Sequence, residues 1–442
     1  MYVYFLYIIF IVFIALVGYK VIQHKPEWML LLIILSYIKS CIAFLFGGTT
    51  VFTVVTIGGI QVHLDDIILI CLLVYCCFTG FNISLRKSIY TKSILLLIIP
   101  ISLSLFRGFI TGTIGSTDFL ADTRTFIPFL VSLISFFLLL RNPNAIIYFN
   151  KYKKYIHRLM SAILVYVLVI WGLDLFFGIQ SLPGQIAGTL SDGGSTFRII
   201  NPPQALIIAF YALNQLYKDL MEKNKITIRT FLFILIVVLL QWRTVVASFL
   251  FAVVLIIINA IIRRKFLSKR LLKNMLFFVP IVIVLVVFFS IGNNVVSGMV
   301  ENLFSSFANI GNGTGTFATR TKAWTMLLTS LSGINVFIGR PFGSGNAASV
   351  TWVNSAHSGY VDYIMIVGYI GLLCLALFMG ILIVGAYKKK YDFMSIMLIA
   401  LLVYWFSYGV SIEHGVILGI CLAVLNQSKR IESRKVGGTD ES

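Results

Sequence analysis

Charged residues are scarce in this sequence, and cysteine is too rare for a disulfide-stapled domain. Charged side chains make up only 12% of the 442 residues, whereas 59% of the chain is hydrophobic. A soluble domain has about 25% charged residues, so this composition excludes one, and several apolar runs are long enough to span a bilayer. The six cysteines all fall inside apolar runs without metal-ligand spacing, which indicates small core residues and no disulfide framework.

Three further absences narrow the function. The first twenty residues, MYVYFLYIIFIVFIALVGYK, lack a basic segment and a small-residue cleavage site, which indicates an uncleaved first span rather than a signal peptide. No internal repeat is evident, which disfavours transporters built from duplicated halves. No Asp-x-Asp motif occurs in a segment assigned to the outer side, since Asp65 and Asp66 are adjacent at the start of a span. We therefore expect metal-independent chemistry without a cofactor.

The basic residues assign the loops to the two sides of a membrane. The net charge is +19, but the positive charges lie in short loops between apolar runs, which is typical of a polytopic membrane protein and not of nucleic-acid binding. Basic loops on the cytoplasmic side predict an all-α fold of about 13 transmembrane helices (roughly 12–14), with the N-terminus outside and the C-terminus inside. The predicted spans are 1–19, 28–47, 64–80, 93–112, 125–140, 159–179, 200–217, 229–242, 244–262, 275–291, 358–386, 392–409 and 412–427.

Only one predicted outer segment is long enough for structure of its own. The chain then has three parts: N-terminal helices (1–291), the outer loop (292–357), and C-terminal helices with a basic cytoplasmic tail (358–442). The loop is expected to contain a mobile Gly/Asn/Thr stretch at 309–319, a helix along the membrane surface at 320–332, and a Gly-rich turn at 339–345.

The basic residues assigned to the outer side are almost all arginine. Six of these seven residues are arginine and only Lys322 is lysine, although the inner side has eighteen lysines and nine arginines. Topology gives no reason to exclude lysine outside. A planar guanidinium binds phosphate in a bidentate fork, so this set indicates a phosphorylated ligand on the outer side. The six are Arg107, Arg124, Arg198, Arg243, Arg320 and Arg340.

A histidine lies at the outer mouth of a predicted span, in the segment HSGYVDYIMIVGYIG that starts at His357. Gly368 and Gly371 lie on one face of this span and would let another helix pack closely, which would hold His357 in a fixed position. Near neutral pH a histidine can accept the proton of a hydroxyl nucleophile. The alternative is a histidine that only binds a loop at the headgroup boundary, and spacing alone leaves both open.

This segment is similar to the H-[N/S/Q]-x9-G-x-x-[G/T/Y] pattern of the O-antigen ligase and polymerase superfamily. Its four fixed positions are filled by His357, Ser358, Gly368 and Gly371. Upstream, RTKAWTMLLTSLSGINVFIGRPFGSG looks like that family's Arg, Trp and G-x-G approach to the histidine. LLQWRTVVASFL resembles its Arg-containing turn, and STFRIINPPQA its Arg-then-Pro start of a middle span. The resemblance covers roughly residues 195–427, and the first half matches only in topology.

The resemblance implies a glycosyltransferase, most like an O-antigen or capsule polymerase, at the outer face of the bacterial inner membrane. Its partners would be an undecaprenyl-pyrophosphate-linked oligosaccharide and membrane lipids, while binding of a chain-length regulator is left open. His357 would deprotonate the acceptor hydroxyl. The residues expected to bind pyrophosphate are Arg198, Arg243, Arg320 and Arg340. The alternatives are a ligase that transfers the glycan to lipid A–core, a flippase or exporter, and an outer-face acyl- or phosphotransferase.

Two further basic residues are possible site members. Lys39 lies within a predicted span and is therefore a functional candidate, although pairing with Asp174 or a carbonyl would explain it equally. Arg124 is expected to pair with Asp118 or Asp122, which favours a structural role.

Aromatic and polar residues surround the predicted site. Tyr360 and Trp324 could stack on sugar rings, but anchoring at the membrane interface is the favoured interpretation. Arg320 is one helical turn from Trp324 and is expected to stack on it. Glu413 and His414, at the outer end of the last span, could form a second polar cluster.

Overall fold

The computed structural model describes much of the chain as two compact units. The described residues are 12, 15–20, 53–57, 60–80, 88–113, 117–141, 143–177, 200–223, 226–240, 242–262, 316–344 and 356–436. The first unit comprises Met1–Tyr7, Ile33–Val54 and Lys151–Gly315. The second comprises Ile8–Leu32, Val55–Asn150 and Thr316–Ser442.

The described part of the chain is helical apart from one short sheet. In chain order its elements are β1 (Thr53–Ile57), β2 (Ile60–His63), α1 (Leu64–Gly80), α2 (Ile89–Ser93), α3 (Leu95–Ile110), α4 (Thr117–Arg141), α5 (Pro143–Phe177), α6 (Pro202–Lys218), α7 (Ile228–Leu239), α8 (Arg243–Ile262), α9 (Thr316–Thr329), α10 (Asn335–Ile338), α11 (Gly359–Lys388), α12 (Asp392–Trp405) and α13 (Ile412–Val436). A π-helical turn, Asp219–Lys223, extends α6.

Within the described residues, five stretches are long and apolar enough to cross a membrane. They are Ile89–Ile110, Asp118–Leu140, Lys154–Leu173, Arg243–Ala260 and Gly359–Lys388. Four shorter apolar stretches accompany them, namely Asp66–Cys77, Ile228–Leu239, Asp392–Trp405 and Ile412–Asn426. These helices support the predicted class, a helical membrane protein. The number of spans and their orientation stay predictions, and the predicted spans 28–47 and 275–291 lie outside the described residues.

The described residues are helical, as predicted, apart from a small hairpin that was not predicted. The strands β1 and β2 pair in a two-stranded sheet just before α1. In the sequence, Gly58 and Gly59 stand between two runs rich in β-branched residues. A two-residue glycine link between such runs is a recognised hairpin signal. The long apolar runs on either side of it indicate helices and obscure this signal.

The first unit, as described, is built around α6, α7 and α8. Pro202 begins α6 after Asn201, as expected for proline at a helix start. Trp242 is buried between α7 and α8, and its Nε1 donates a hydrogen bond of 2.6 Å to the Ile200 carbonyl. Trp242 therefore packs inside the protein and does not anchor the turn in lipid headgroups.

The second unit contains the segment of His357 and the helices that surround it. Helix α4 packs along α13, where Ser132 Oγ donates a hydrogen bond of 2.9 Å to the Ile412 carbonyl. Helix α3 packs beside α11. The five described cysteines are free thiols, but only Cys421 is buried and Cys77 is exposed, so the prediction of core cysteines holds only in part.

Candidate functional site

His357 lies two residues before the start of α11 and is itself exposed. Its neighbours Ala356 and Ser358 are buried, and the Ser358 hydroxyl caps the helix by accepting a hydrogen bond from Val361 N. The backbone of His357 has a φ of 49°, in the left-handed region that costs a non-glycine residue roughly 1–3 kcal/mol. Such strain is concentrated at functional sites, where surrounding contacts maintain it. His357 is therefore an exposed residue on a backbone that its buried neighbours hold in a strained conformation.

Helix α9 packs an apolar face against the segment that carries His357. Ala323 and Leu327 are buried on one face, followed by Leu331 just after the helix. Leu327 and Leu331 share a core with Ala356, Val361, Ile364 and Met365. A helix is found where one was predicted at 320–332, but it spans Thr316–Thr329 and so begins inside the stretch expected to be mobile. Its predicted position along the membrane surface stays a prediction. Its apolar face is buried against protein.

Trp324 connects α9 to the residue before His357. Its Nε1 donates a hydrogen bond of 2.6 Å to the Ala356 carbonyl. Its ring meets Phe406 edge-on with centroids 5.3 Å apart, where the sequence suggested a contact with Arg320. Trp324 therefore braces the backbone beside His357, and membrane anchoring is not needed to explain it.

Arg320 lies one turn before Trp324 on α9 and acts electrostatically on His357. Partial burial of the imidazole and, second, the positive charge of Arg320 lower the pKa of His357 from its ordinary value. The imidazole is consequently neutral at pH 7 and can accept a proton. Arg320 is half-buried, and the described part of the chain offers its guanidinium no hydrogen-bond acceptor. This charge is therefore available to an anion beside His357.

Helix α11 is broken at Gly368, where the turn after α10 crosses it. Gly368 has a φ of 68°, and a Cβ there would overlap the Phe337 carbonyl and lie 2.5 Å from Gly339 N. Gly339 has a φ of 75°, and a Cβ there would overlap the backbone of Ile366. Both positions therefore require glycine for conformation and for space.

This break corrects the expected role of the two glycines. At Gly368 the close neighbours are Phe337 in α10 and Gly339 just after it, and not another long helix. At Gly371 a Cβ would lie 2.2 Å from the Val367 side chain of the same helix, while Cβ of Pro100 in α3 is at an ordinary contact distance of 3.5 Å. The break also leaves the Met365 carbonyl to accept a hydrogen bond of 2.7 Å from Arg340 N. Gly339 of the Gly-rich turn thus approaches the backbone of α11 closely.

Two of the arginines that the sequence assigned to the outer side hold the crossing segment in place. Arg107 donates from Nη1 to the Gly339 carbonyl over 2.8 Å and from Nη2 to Asn335 Oδ1 over 2.6 Å. Arg340 donates from Nη2 to Ser330 Oγ over 2.6 Å, while the described residues give its Nε and Nη1 no acceptor. Arg107 is thus structural, whereas Arg340 retains donors for a ligand.

Arg124 forms an ion pair with a residue that the sequence did not identify. Its Nε and Nη2 donate to the two carboxylate oxygens of Asp66 over 3.1 and 2.7 Å. Asp122, one of the two expected partners, accepts a hydrogen bond of 2.9 Å from Gly343 N. The fork of Arg124 is therefore occupied by a carboxylate, which favours the structural role.

The remaining basic candidates belong to the first unit or are not described. Arg243 is half-buried and begins α8, where the helix dipole also favours an anion. The sequence placed Arg243 within a turn between two helices; the two helices are found, but α7 ends at Leu239 and Arg243 already belongs to α8. Arg198 and Lys39 lie outside the described residues, and their roles stay predictions.

Tyr360 and His414 make internal contacts between helices. The Tyr360 hydroxyl donates to the Leu402 carbonyl over 2.7 Å. His414 is fully buried, and its Nδ1 accepts a hydrogen bond of 3.2 Å from Trp405 Nε1 and lies 3.2 Å from Ser411 Oγ. Both residues therefore connect the C-terminal helices, and their possible roles at the site stay predictions.

Sequence reasoning overlooked Asp362. Its carboxylate accepts a backbone hydrogen bond from Ala356, the residue before His357, and it is close enough to Asp122 to interact electrostatically. The available signal was a single acidic residue in an apolar span, five positions after His357, which is itself a reason to suspect a role.

No model of a known protein family matches the chain, and no curated protein sequence is significantly similar to it. The family resemblance therefore rests on the motif residues alone.

Proposed function

We propose that this protein is an inverting glycosyltransferase that polymerises undecaprenyl-pyrophosphate-linked oligosaccharide repeat units. It would act at the outer face of the bacterial inner membrane, in the synthesis of O-antigen or another surface polysaccharide. The proposal includes about 13 spans with the N-terminus outside and the C-terminus in the cytoplasm, as the basic loops indicate.

One observation carries the proposal: a half-buried guanidinium without an acceptor in the described chain, at Arg320, acts on a neutral imidazole at the end of an apolar helix. A guanidinium binds phosphate in a bidentate fork, and a neutral imidazole is the form that accepts a proton. Near α9, the Nε and Nη1 atoms of Arg340 have no acceptor among the described residues and can also donate to an anion. An anionic leaving group and a hydroxyl nucleophile are the reactants that such a pair can serve.

The proposed step transfers the growing chain in one displacement. The acceptor sugar's hydroxyl oxygen attacks the anomeric carbon of the donor, and a new carbon–oxygen bond forms while the bond to the phosphate oxygen breaks. The hydroxyl proton passes to His357, and the bonding electron pair leaves with undecaprenyl pyrophosphate. Arg320 and Arg340 would stabilise the charge that develops on this leaving group, and Arg243 and Arg198 remain candidates from the sequence alone. The imidazolium then returns its proton to water.

Reconstitution with a purified lipid-linked repeat unit tests this function. A ladder of products without lipid A indicates a polymerase, dependence on lipid A–core indicates the ligase, and the absence of any new glycosidic bond contradicts both. Product formed in the presence of a chelator supports metal-independent chemistry. His357→Ala should abolish the ladder, and Lys322→Ala, which removes an exposed side chain two residues after Arg320, should retain it.

A further inference from the structure

The backbone of Ala356 is held on both sides, immediately before His357. The Ala356 carbonyl accepts the hydrogen bond from Trp324 Nε1 over 2.6 Å, and the Ala356 N–H donates to the Asp362 carboxylate. The two groups come from different helices, since Trp324 is on α9 and Asp362 is in the first turn of α11. The residue that follows this doubly bonded backbone, His357, is the one with a φ of 49°.

A strained backbone persists only where its surroundings over-determine it. The Ser358 hydroxyl caps α11 and Ala356 is 1% exposed, so both flanks of His357 are fixed. Hydrogen bonds from Trp324 and to Asp362 leave the Ala356 backbone little freedom to relax the following residue. The direction of the imidazole depends on that residue's backbone.

We propose that Trp324 and Asp362 are positioning residues, which grip the Ala356 backbone from opposite sides and keep the His357 imidazole aimed at the acceptor hydroxyl. The expected loss of kcat rests on the proposed function, whereas the positioning of the His357 side chain does not. Neither residue touches substrate in this scheme, and both act through His357. Because α9 carries Trp324 and also Arg320, the same helix sets the direction of the base and supplies the charge beside it.

The chain's five histidines make a direct test practical, because ¹³C labelling of histidine gives few resonances and His357→Gln assigns the one of interest. Trp324→Phe keeps an aromatic ring against Phe406 but removes the indole N–H. Asp362→Ala removes the acceptor on the opposite side, and Asp362→Asn keeps an acceptor oxygen. Trp171→Phe is the control, because it removes a hydrogen bond of 3.1 Å from Trp171 to the Leu239 carbonyl in the other unit.

We expect Trp324→Phe and Asp362→Ala to shift or broaden the His357 resonance and leave the other histidines unchanged. A misplaced base should lower kcat by about ten- to a hundredfold with little change in the KM for the donor. Asp362→Asn should restore the resonance and most of kcat, and Trp171→Phe should leave the resonance as in the wild type.

Two outcomes would overturn the inference. One is a His357 resonance that is unchanged in both Trp324→Phe and Asp362→Ala. The other is a shift of all five histidine resonances together, because that would identify general support of the fold. If wild-type protein forms no glycosidic bond while the selective shift is observed, the proposed function fails and the positioning of His357 stands.

Discussion

Because α11 is broken at Gly368, we expect Gly368→Ala to lower the free energy of unfolding unusually strongly for so small a substitution. Gly368→Ala would place a Cβ on a backbone with a φ of 68°, against the Phe337 carbonyl and 2.5 Å from Gly339 N. Left-handed strain at a non-glycine residue costs roughly 1–3 kcal/mol. Displacing the crossing backbone costs a further amount of about 1–3 kcal/mol. Alanine also lowers the conformational entropy of the unfolded chain, which restores up to about 1 kcal/mol of stability.

The net loss for Gly368→Ala is therefore roughly 1–6 kcal/mol. A middle value of about 3 kcal/mol corresponds to a fall in the unfolding temperature of roughly 6–12 °C, for about 2–4 °C per kcal/mol. Gly380 provides the matched control in the same helix, because a Cβ there would meet nothing within 4 Å. Gly380→Ala should be neutral or stabilising by up to about 1 kcal/mol, since alanine favours a helix.

The assay is thermal unfolding of the purified protein in detergent, followed by the fraction that remains monodisperse after heating. Both variants and the wild type are heated at the same rate, because unfolding of such proteins is often irreversible. If Gly368→Ala proves as stable as Gly380→Ala, the helix is not broken at Gly368 and the crossing of α11 by the turn at Gly339 is wrong.

Three further substitutions test the roles of the arginines. Arg320→Gln removes a positive charge that disfavours the imidazolium form of His357, so the pKa of His357 should rise and the acidic limb of the kcat/KM profile should move to higher pH. If the limb does not move in that variant, or moves equally in Lys322→Gln, Arg320 does not act on His357. Arg243→Lys keeps the charge but loses the fork, so kcat/KM should fall about tenfold or more, and full activity would leave Arg243 a structural residue. Arg107→Lys can keep only part of the contacts to Gly339 and Asn335, so it should lower the free energy of unfolding by about 1.5–3 kcal/mol, as measured by thermal unfolding.

Local patterns in the sequence predicted the elements that depend on local chemistry. Pro202 begins a helix, the turn before Arg243 joins two helices, and an apolar stripe places a helix at 320–332. Each rests on residues that are neighbours in the chain, so the pattern and its cause coincide. The hairpin at β1 and β2 was equally local and was missed only because the surrounding runs are so apolar.

The roles of individual arginines could not be predicted in this way. Arg107, Arg124 and Arg320 share a residue type and a predicted side of the membrane, yet the first binds the turn at Gly339 and the second binds Asp66. Those partners are far away in the sequence, and no spacing identifies them. What distinguishes Arg320 is the lack of an acceptor in the described chain, a property of the folded structure alone.

The two glycines of the histidine motif illustrate the same limit and give it a consequence. Their spacing is compatible with a continuous helix that packs closely and also with a helix that breaks, and only the distant turn at Gly339 decides between them. Because of the break, the Met365 carbonyl accepts a hydrogen bond from Arg340 N, so the Gly-rich turn is hydrogen-bonded to the backbone of α11. The segment from α9 to that turn is then bound at both ends: Trp324 bonds to Ala356, just before α11, and Arg340 bonds to Met365 within α11. A site assembled this way tolerates a strained histidine, because relaxing its backbone would require separating α9 from α11.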